Sequence, residues 1–466
     1  CFKMVNVVLF IFRRDFRVKD NIGLHECITY ANKKDCKIIP TFIIDDKQVK
    51  KKDYFSNKSF QFLTESIDDL NKQINKDVFI YEGKKHVLSH LENLNYKVKA
   101  VFSNRDFTPY AQKRDDILEK ECKKRQISCM FYDDYTLLDL NTVVSGSNSF
   151  YKVFTPFFNK VKTIEIQKVK NLYTKDLELF ESVKSTIKLT DLYNHQNNPI
   201  LKGGREEAWN RLKIHSYKTY KDKRDFPHQE ATTMMSAYLK YGCISIREFY
   251  WYIYKKYGKD HELIRQLFWK EFYAYITYHF PHVLEGMLYD NQNNRTFKEN
   301  LKNKIQWQND RNYFQAWCKG KTGFPIVDAG MRQMNQTGFM HNRLRMITSM
   351  FLTKHLHVDW RWGEKYFATK LIDYDPASNN GGWQWSAGTG TDFNNYYRMF
   401  NPWIQTERFD IQCNYIKTWI HELKDVPTKD ILKWYQSYKQ HKGVYVKPIV
   451  DHAEQRELTM DYIYKK

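Results

Sequence analysis

The sequence predicts an α/β domain on a five-stranded parallel sheet, followed by a large all-α domain. Three observations carry this. Five short apolar runs punctuate the first 135 residues, with charged, helix-length stretches between them, and strands alternating with helices build parallel sheets. Past Gly203-Gly204 the strand signals fade and apolar residues recur at helical spacing. A chain of 466 residues, 42% of them hydrophobic, is also longer than one core organises.

The five runs are residues 5–10, 37–44, 78–81, 98–102 and 128–132. The first lies in an apolar stretch that is short, lacks a small-residue cleavage site and is followed by Arg13-Arg14. It therefore reads as a buried first strand and not as a signal peptide. FRRDFR follows it where a dinucleotide-binding sheet would carry GxGxxG. That omission argues against this domain, residues 1–135, holding the main cofactor. Residues 136–202 include the loop SGSNS and a Lys/Asn/Thr-rich stretch, and read as an inter-domain connector. In the third segment, 203–466, helices are predicted over 205–212, 232–241, 245–257, 262–278, 313–319, 325–337, 343–356, 363–372 and 409–419.

Composition narrows the functional classes. The formal net charge is +21, which attracts polyanions, although a bias toward Lys, Asn, Ile and Tyr supplies the same surplus without a nucleic-acid partner. The 16% aromatic content, with 12 Trp and 33 Tyr, offers stacking surfaces suited to unpaired bases. No apolar run is long enough to span a membrane. The eight cysteines form no CxxC pair and no zinc-type Cys/His spacing, so no metal site is expected, and scattered thiols point to a reducing intracellular compartment.

The densest unusual segment runs from 321 to 410: KTGFPIVDAGMRQMNQTGFMHNRLRM, then VDWRWGE, DYDPASNNGGWQW and RMFNPWIQTERFD. With FRRDFRVKDN near the start, YKVFTPF at 151–157 and RDFP at 224–227, it resembles the photolyase/cryptochrome family. Within that family the class I cyclobutane pyrimidine dimer photolyases are the most similar. The similarity spans nearly the whole chain in several separate motifs.

The resemblance implies FAD in the helical domain. Tyr220, Thr232, Thr233 and Ser236 would contact its phosphates and ribityl chain, hydroxyls at a helix start being suited to anions. Taken singly, Thr-Thr before an apolar helix is an ordinary N-cap. Arg345 and Asp373 would pair beside the ring, with Asp375 at its pyrimidine edge; the plainer reading is an ion pair locking two helices. Asn379 aligns with the family residue at flavin N5. A carboxamide there can bond a protonated N5 without supplying an acid. Trp383, Trp360 and Trp317 fall at electron-relay positions that would rereduce the flavin from the surface, where core packing is the alternative.

The same resemblance assigns Trp269 and Trp385 to a pocket for an extruded dimer, with Asn342 and Met346 facing the lesion and Arg224 and Arg343 on backbone phosphates. Gln266 stands where class I members carry an acid. The (6–4) photoproduct enzymes commonly carry Gln there, but usually place a second histidine where Asn342 stands. An antenna, folate or deazaflavin, accompanies FAD in some members. Ala111 occupies the place of the acid that marks a folate site, so no antenna is assigned. The expectation is a monomeric lyase acting on UV-damaged DNA. The alternatives are (6–4) repair and a cryptochrome-type photoreceptor, the latter disfavoured by the absence of a long low-complexity tail after RFD.

Overall fold

The computed structural model describes residues 4–45, 49, 53–83, 87–146, 149–171, 174–197, 199–284, 297, 305–392 and 398–464; at 174–175 and 461–464 only the backbone is described. These pack into two compact units. The first combines Cys1–His215 with Thr233–Asn291, and the second combines Ser216–Thr232 with Gln292–Lys466. Cuts at 135 and 203 follow the type of element; the compact units follow packing.

In the first unit, β1 (Val5–Phe12), β2 (Lys37–Ile44), β3 (Phe79–Glu82), β4 (Tyr96–Asn104) and β5 (Ser128–Tyr132) form one sheet in the order β3-β2-β1-β4-β5. All four pairings are parallel. The central β1 is buried on both faces, Val7 to Phe12 being at most 2% exposed. That explains its continuous apolar run. The crossover helices are α1 (Ile22–Lys34), α2 (Asn57–Ile74), α3 (Val87–Asn93) and α4 (Pro109–Lys124).

Strand order reverses between β1 and β4, the usual crevice for a nucleotide. Here protein groups take the N–H groups that open α1. Asp134 accepts from Ile22, Asn104 from Gly23 and Asn21 from Leu24. A Cβ on Gly23 would stand 2.5 Å from Asn104 Oδ1. These amides serve side chains at the place where a dinucleotide fingerprint would offer them to a pyrophosphate.

The connector contributes α5 (Phe154–Val161) and runs along the sheet, with Glu181 N–H donating to Ile38 O and Thr186 N–H to Ile80 O. The rest of this unit is α6 (Arg205–Lys213) and three helices from the second chain segment: α8 (Ser236–Lys240), α9 (Ile246–Tyr257) and α10 (Glu262–His279). A buried network fastens that segment to the first. Arg17 pairs with Asp134 at 2.5 Å, and Arg247 with both Asp20 and Asp134 at 2.9 and 2.7 Å.

The second unit is helical. Its elements include α7 (Tyr220–Lys223), α11 (Arg311–Lys319), α12 (Pro325–Thr337), α13 (Asn342–Met350), α14 (Trp360–Lys370), α15 (Pro376–Ala387), α16 (Pro402–Phe409), α17 (Asn414–Trp419) and, near the end, the helix His452–Tyr464. Its core joins α11 to α17 around Trp317, Trp360, Phe351 and Trp434.

Several expected helices differ. The one predicted over 232–241 shrinks to Ser236–Lys240, because Met234 adopts a left-handed φ of 53° that no helix interior tolerates. The stretch 343–356 ends in a π-helical turn, Phe351–His355. The stretch 409–419 breaks where Cys413 takes φ 55°. Residues 376–387 form a helix that the pattern did not predict.

Candidate active site

The candidate residues lie in both units, and each set is built by its own elements. In the second unit the organising element is α15. Asp375 caps it, its side chain accepting from Ser378 N–H at 2.9 Å, and Pro376 opens the first turn. Its far end closes on Gly388 at φ 82°. Lys354 Nζ donates to the carbonyl of Ala387 there at 2.9 Å. Burial pushes this ammonium down to about 7, while the negative end of the helix favours its charged form. The helix is thus fixed at both ends.

Three candidate side chains lie on it. Asn379 Nδ2 donates to Glu364 Oε1 at 3.0 Å and to Glu364 O at 3.2 Å. Both partners are acceptors, so the amide is oriented with its nitrogen toward α14. Its Oδ1 accepts no hydrogen bond among the described residues and is left as an acceptor. Glu364 is fully buried and was not anticipated from sequence; a single Glu in WRWGE carries no signal of its own.

Trp383 packs against Trp317 at 5.9 Å and 73°, and against Phe367 at 4.9 Å and 78°. The two indoles differ. Trp317 Nε1 donates to Thr348 O at 3.0 Å, whereas the buried Nε1 of Trp383 has no acceptor among the described residues. Gly363 makes the packing feasible, since a Cβ there would stand 2.1 Å from Trp383 Cη2. Trp360 is fully buried on α14, with Arg361 over its ring at 5.2 Å. None of the three indoles reaches the surface, which the relay expectation required of one of them: Trp317 and Trp360 are 0% exposed and Trp383 2%. Trp307, Trp362, Trp385 and Trp419, partly buried and packed on the same core, keep a solvent edge.

Trp385, two residues on, is half-buried. The guanidinium of exposed Arg398 lies 5.2 Å from its ring, a cation–π contact that the motif RMF did not suggest.

On α13, His341 caps the first turn, accepting from Arg343 N–H at 3.2 Å; burial holds its imidazole down to about 4. Asn342 is exposed and Met346 half-buried. They lie one turn apart on one face, Nδ2 to Sδ 3.9 Å. Arg345 reaches both oxygens of Asp373, at 3.0 and 2.8 Å, and its Nε donates to Met340 O. The predicted ion pair is thus formed. Arg343 pairs with Asp225 at 2.9 Å and covers Phe409 at 4.2 Å, so any phosphate at Arg343 shares it with Asp225. Arg224 lies 6.0 Å from the ring of Tyr220, which opens α7. Thr232 is half-buried.

The first unit holds the remaining candidates. Thr233 is half-buried and accepts from Met235 N–H, and Ser236 is exposed at the start of α8. Gln266 donates to Glu262 one turn earlier at 2.8 Å. Trp269 is half-buried and stacks on Phe154. Glu271 does not substitute for the missing acid. It is fully buried, accepts from the Leu137 and Leu138 N–H groups, and burial pushes its carboxyl up to about 7.

The residues fit a flavin on two counts. Gly382 leaves open space where a Cβ would project, nothing lying within 4 Å, although a glycine inside a helix costs about 1 kcal/mol relative to alanine. The polar groups also suit a reduced isoalloxazine ring: an acceptor at Asn379 and a paired charge at Arg345–Asp373. Among the described residues no His/Cys/Asp/Glu group has the makings of a metal site, and no helix is long and apolar enough to cross a membrane.

Comparison with known proteins agrees. The model of the FAD binding domain of DNA photolyase matches residues 263–465, and the DNA photolyase model matches 8–173. A deoxyribodipyrimidine photo-lyase of Alkalihalophilus pseudofirmus is 35% identical, over 97% of this chain and 96% of that protein. Among solved structures, an archaeal photolyase from Sulfolobus tokodaii, described with two FAD molecules, superposes with a TM-score of 0.86. It is 35% identical and covers 99% of this chain and 100% of its own. A Synechocystis cryptochrome follows at a TM-score of 0.84 and 25% identity, covering 98% and 99%. Two family models covering most of the sequence, and a relative aligned nearly end to end, place this chain in the DNA photolyase family.

Proposed function

We propose that this chain repairs cyclobutane pyrimidine dimers in UV-damaged DNA with light. One observation carries the reading: Glu364 turns the amide of Asn379 so that a carbonyl oxygen is presented. An acceptor there favours a flavin carrying a proton on N5, the form that repair requires. When bound, FAD would supply light-driven electron donation without net redox change, so the reaction is a lyase.

The protein's own work is positioning and electrostatics. Arg345 and Asp373 set the charge beside the ring, with Asp375 at its pyrimidine edge. Tyr220, Thr232, Thr233 and Ser236 hold phosphates and ribityl hydroxyls. Trp383, Trp360 and Trp317 offer oxidisable indoles. Trp269 and Trp385 wall the pocket, where stacking offsets part of the few kcal/mol that extrusion costs. Asn342 and Met346 face the lesion, and Arg224 and Arg343 face the backbone. The reading extends to a monomer in a reducing compartment, supported by the described cysteines all being free thiols.

Gln266 favours (6–4) repair as a second reading. An amide donates to the lesion at any pH, as a protonated acid would, so Gln266 serves dimer repair as well. Illumination of the reduced protein with defined oligonucleotides decides between them: recovery from the cyclobutane dimer alone is expected, and recovery from the (6–4) product alone overturns the proposal. In the dark, Trp385→Ala is expected to weaken dimer binding; unchanged affinity removes Trp385 from the pocket.

A further inference from the structure

The motif YKVFTPF has no part in the chemistry above. Its first phenylalanine, Phe154, opens α5 and lies face to face with Trp269, with ring centroids 3.6 Å apart and planes at 8°. A centred parallel pair is the electrostatically poorer arrangement, since aromatic rings prefer to sit offset or edge-on. The surroundings hold it in place. Phe154 is 1% exposed. Phe158 stacks beside it at 5.6 Å and 17°, and Phe272 meets it edge-on at 5.7 Å and 78°. The Arg265 guanidinium lies 5.3 Å from its ring and 5.0 Å from that of Phe158. Phe154 therefore cannot turn away from the indole.

Trp269, by contrast, is only half-buried. Phe272 flanks it edge-on and Tyr273 at 33°. An indole has two faces, and Phe154 occupies one.

We infer that Phe154 is a specificity-determining positioning residue: it holds Trp269 in one orientation and leaves a single face for the extruded pyrimidine pair. This rests on Trp269 being a wall of the lesion pocket. Stacking on a free indole is sequence-tolerant, because every base has a π-face. A cyclobutane dimer differs in shape, since saturation at C5 and C6 puckers both rings and joins them at an angle. A mobile indole would follow a flat base as readily as a bent pair. A fixed wall favours the shape it is set for, which is the effect of preorganisation.

Phe154→Leu, Phe154→Met and Phe154→Tyr test the inference, alongside Trp269→Ala. Each is measured in the dark by fluorescence anisotropy on an oligonucleotide with one cyclobutane thymine dimer and on its undamaged counterpart. Phe154→Leu is expected to lower the preference for damaged over undamaged DNA by about fivefold, within the range of one aromatic pair's contribution. The loss falls on lesion affinity alone. Phe154→Tyr keeps the ring and the preference. Phe154→Met preserves volume without a ring and gives the same loss, so it carries the test if the Leu variant does not fold. An unchanged preference in the ring-less variants, or an equal fall in both affinities, overturns the role of Phe154. If Trp269→Ala also keeps the wild-type preference, it is the pocket reading of Trp269 that fails. If Trp269→Ala loses the preference and the ring-less variants keep it, only the inference about Phe154 fails.

Discussion

At Asn379 the chemistry is decided by a neighbour. The side chain alone is ambivalent, since a carboxamide donates as readily as it accepts. Glu364, offering only acceptors, removes the ambivalence. Glu364→Gln reintroduces it, because a carboxamide can present N–H to Asn379 as well as C=O. The bound reduced flavin is then expected to reoxidise in air severalfold faster, followed by its visible absorbance; an unchanged rate removes Glu364 from this role. Gly363 decides another position. A methyl group there meets Trp383 at 2.1 Å and Leu352 Cδ2 at 2.6 Å, in a core with no slack. Gly363→Ala is expected to lower stability by about 1–3 kcal/mol, the cost of overpacking. Trp383→Phe in the same chain should relieve most of that, as thermal melts of the four combinations would show. The residues anticipated from sequence were those inside recognisable motifs. Glu364, Gly363, Phe154 and Arg398 stand in the same motifs but act through partners up to 115 positions away, and no local pattern encodes those contacts.

Among the elements, α15 shows where local reading succeeds and where it stops. Asp375 and Pro376 are ordinary helix-start signals, but Asn-Asn-Gly-Gly after them reads as a turn. Tertiary packing overrides that: Lys354 and Gly388 close one end, and Trp383 anchors the middle. Gly382 has no protein atom within 4 Å of where a Cβ would stand. Gly382→Ala is therefore expected to stabilise the flavin-free protein by about 1 kcal/mol while reducing the fraction that retains FAD. Melting the apo form and measuring flavin content after purification test both halves; higher stability with undiminished flavin would separate Gly382 from the cofactor. The strands of the sheet were legible to within a few residues, because β1 is an apolar run buried from Val7 to Phe12 and its neighbours are largely apolar. The helix over 232–241 was not, because periodicity does not reveal a left-handed residue such as Met234.

Across the whole molecule, buried histidines oppose acid. Burial holds His341 and His357 neutral, each at about 4 against an ordinary 6.5. Between those values the unfolded chain binds protons that these two sites refuse, so their contribution to stability falls as pH drops from 6.5 toward 4. Buried Asp115, Asp328 and Glu271, pushed up to about 6, 6 and 7, act with the opposite sign over the same range. A His341→Gln/His357→Gln variant should therefore keep more of its pH 7 melting temperature at pH 4.5 than the parent does. An equal loss in both would mean that other groups carry the acid transition. The division into an α/β part and a helical part was readable from periodicity. That helices α8 to α10 join the compact unit of the sheet was not, because the contacts joining Arg17 and Asp20 to Gly242, Ser245 and Arg247 span more than 200 residues.

That long closure bears on how the protein is made. A nascent chain emerging from the ribosome exposes β1 to β5 well before residues 233–291 exist, so Asp20 and the Arg17–Asp134 pair must wait for Arg247 to be synthesised. The first compact unit can pair its strands early, but it completes its interior only when residues 233–291 have been translated. Ribosome-bound chains truncated before residue 233 should accordingly be far more sensitive to protease than chains extended past 291.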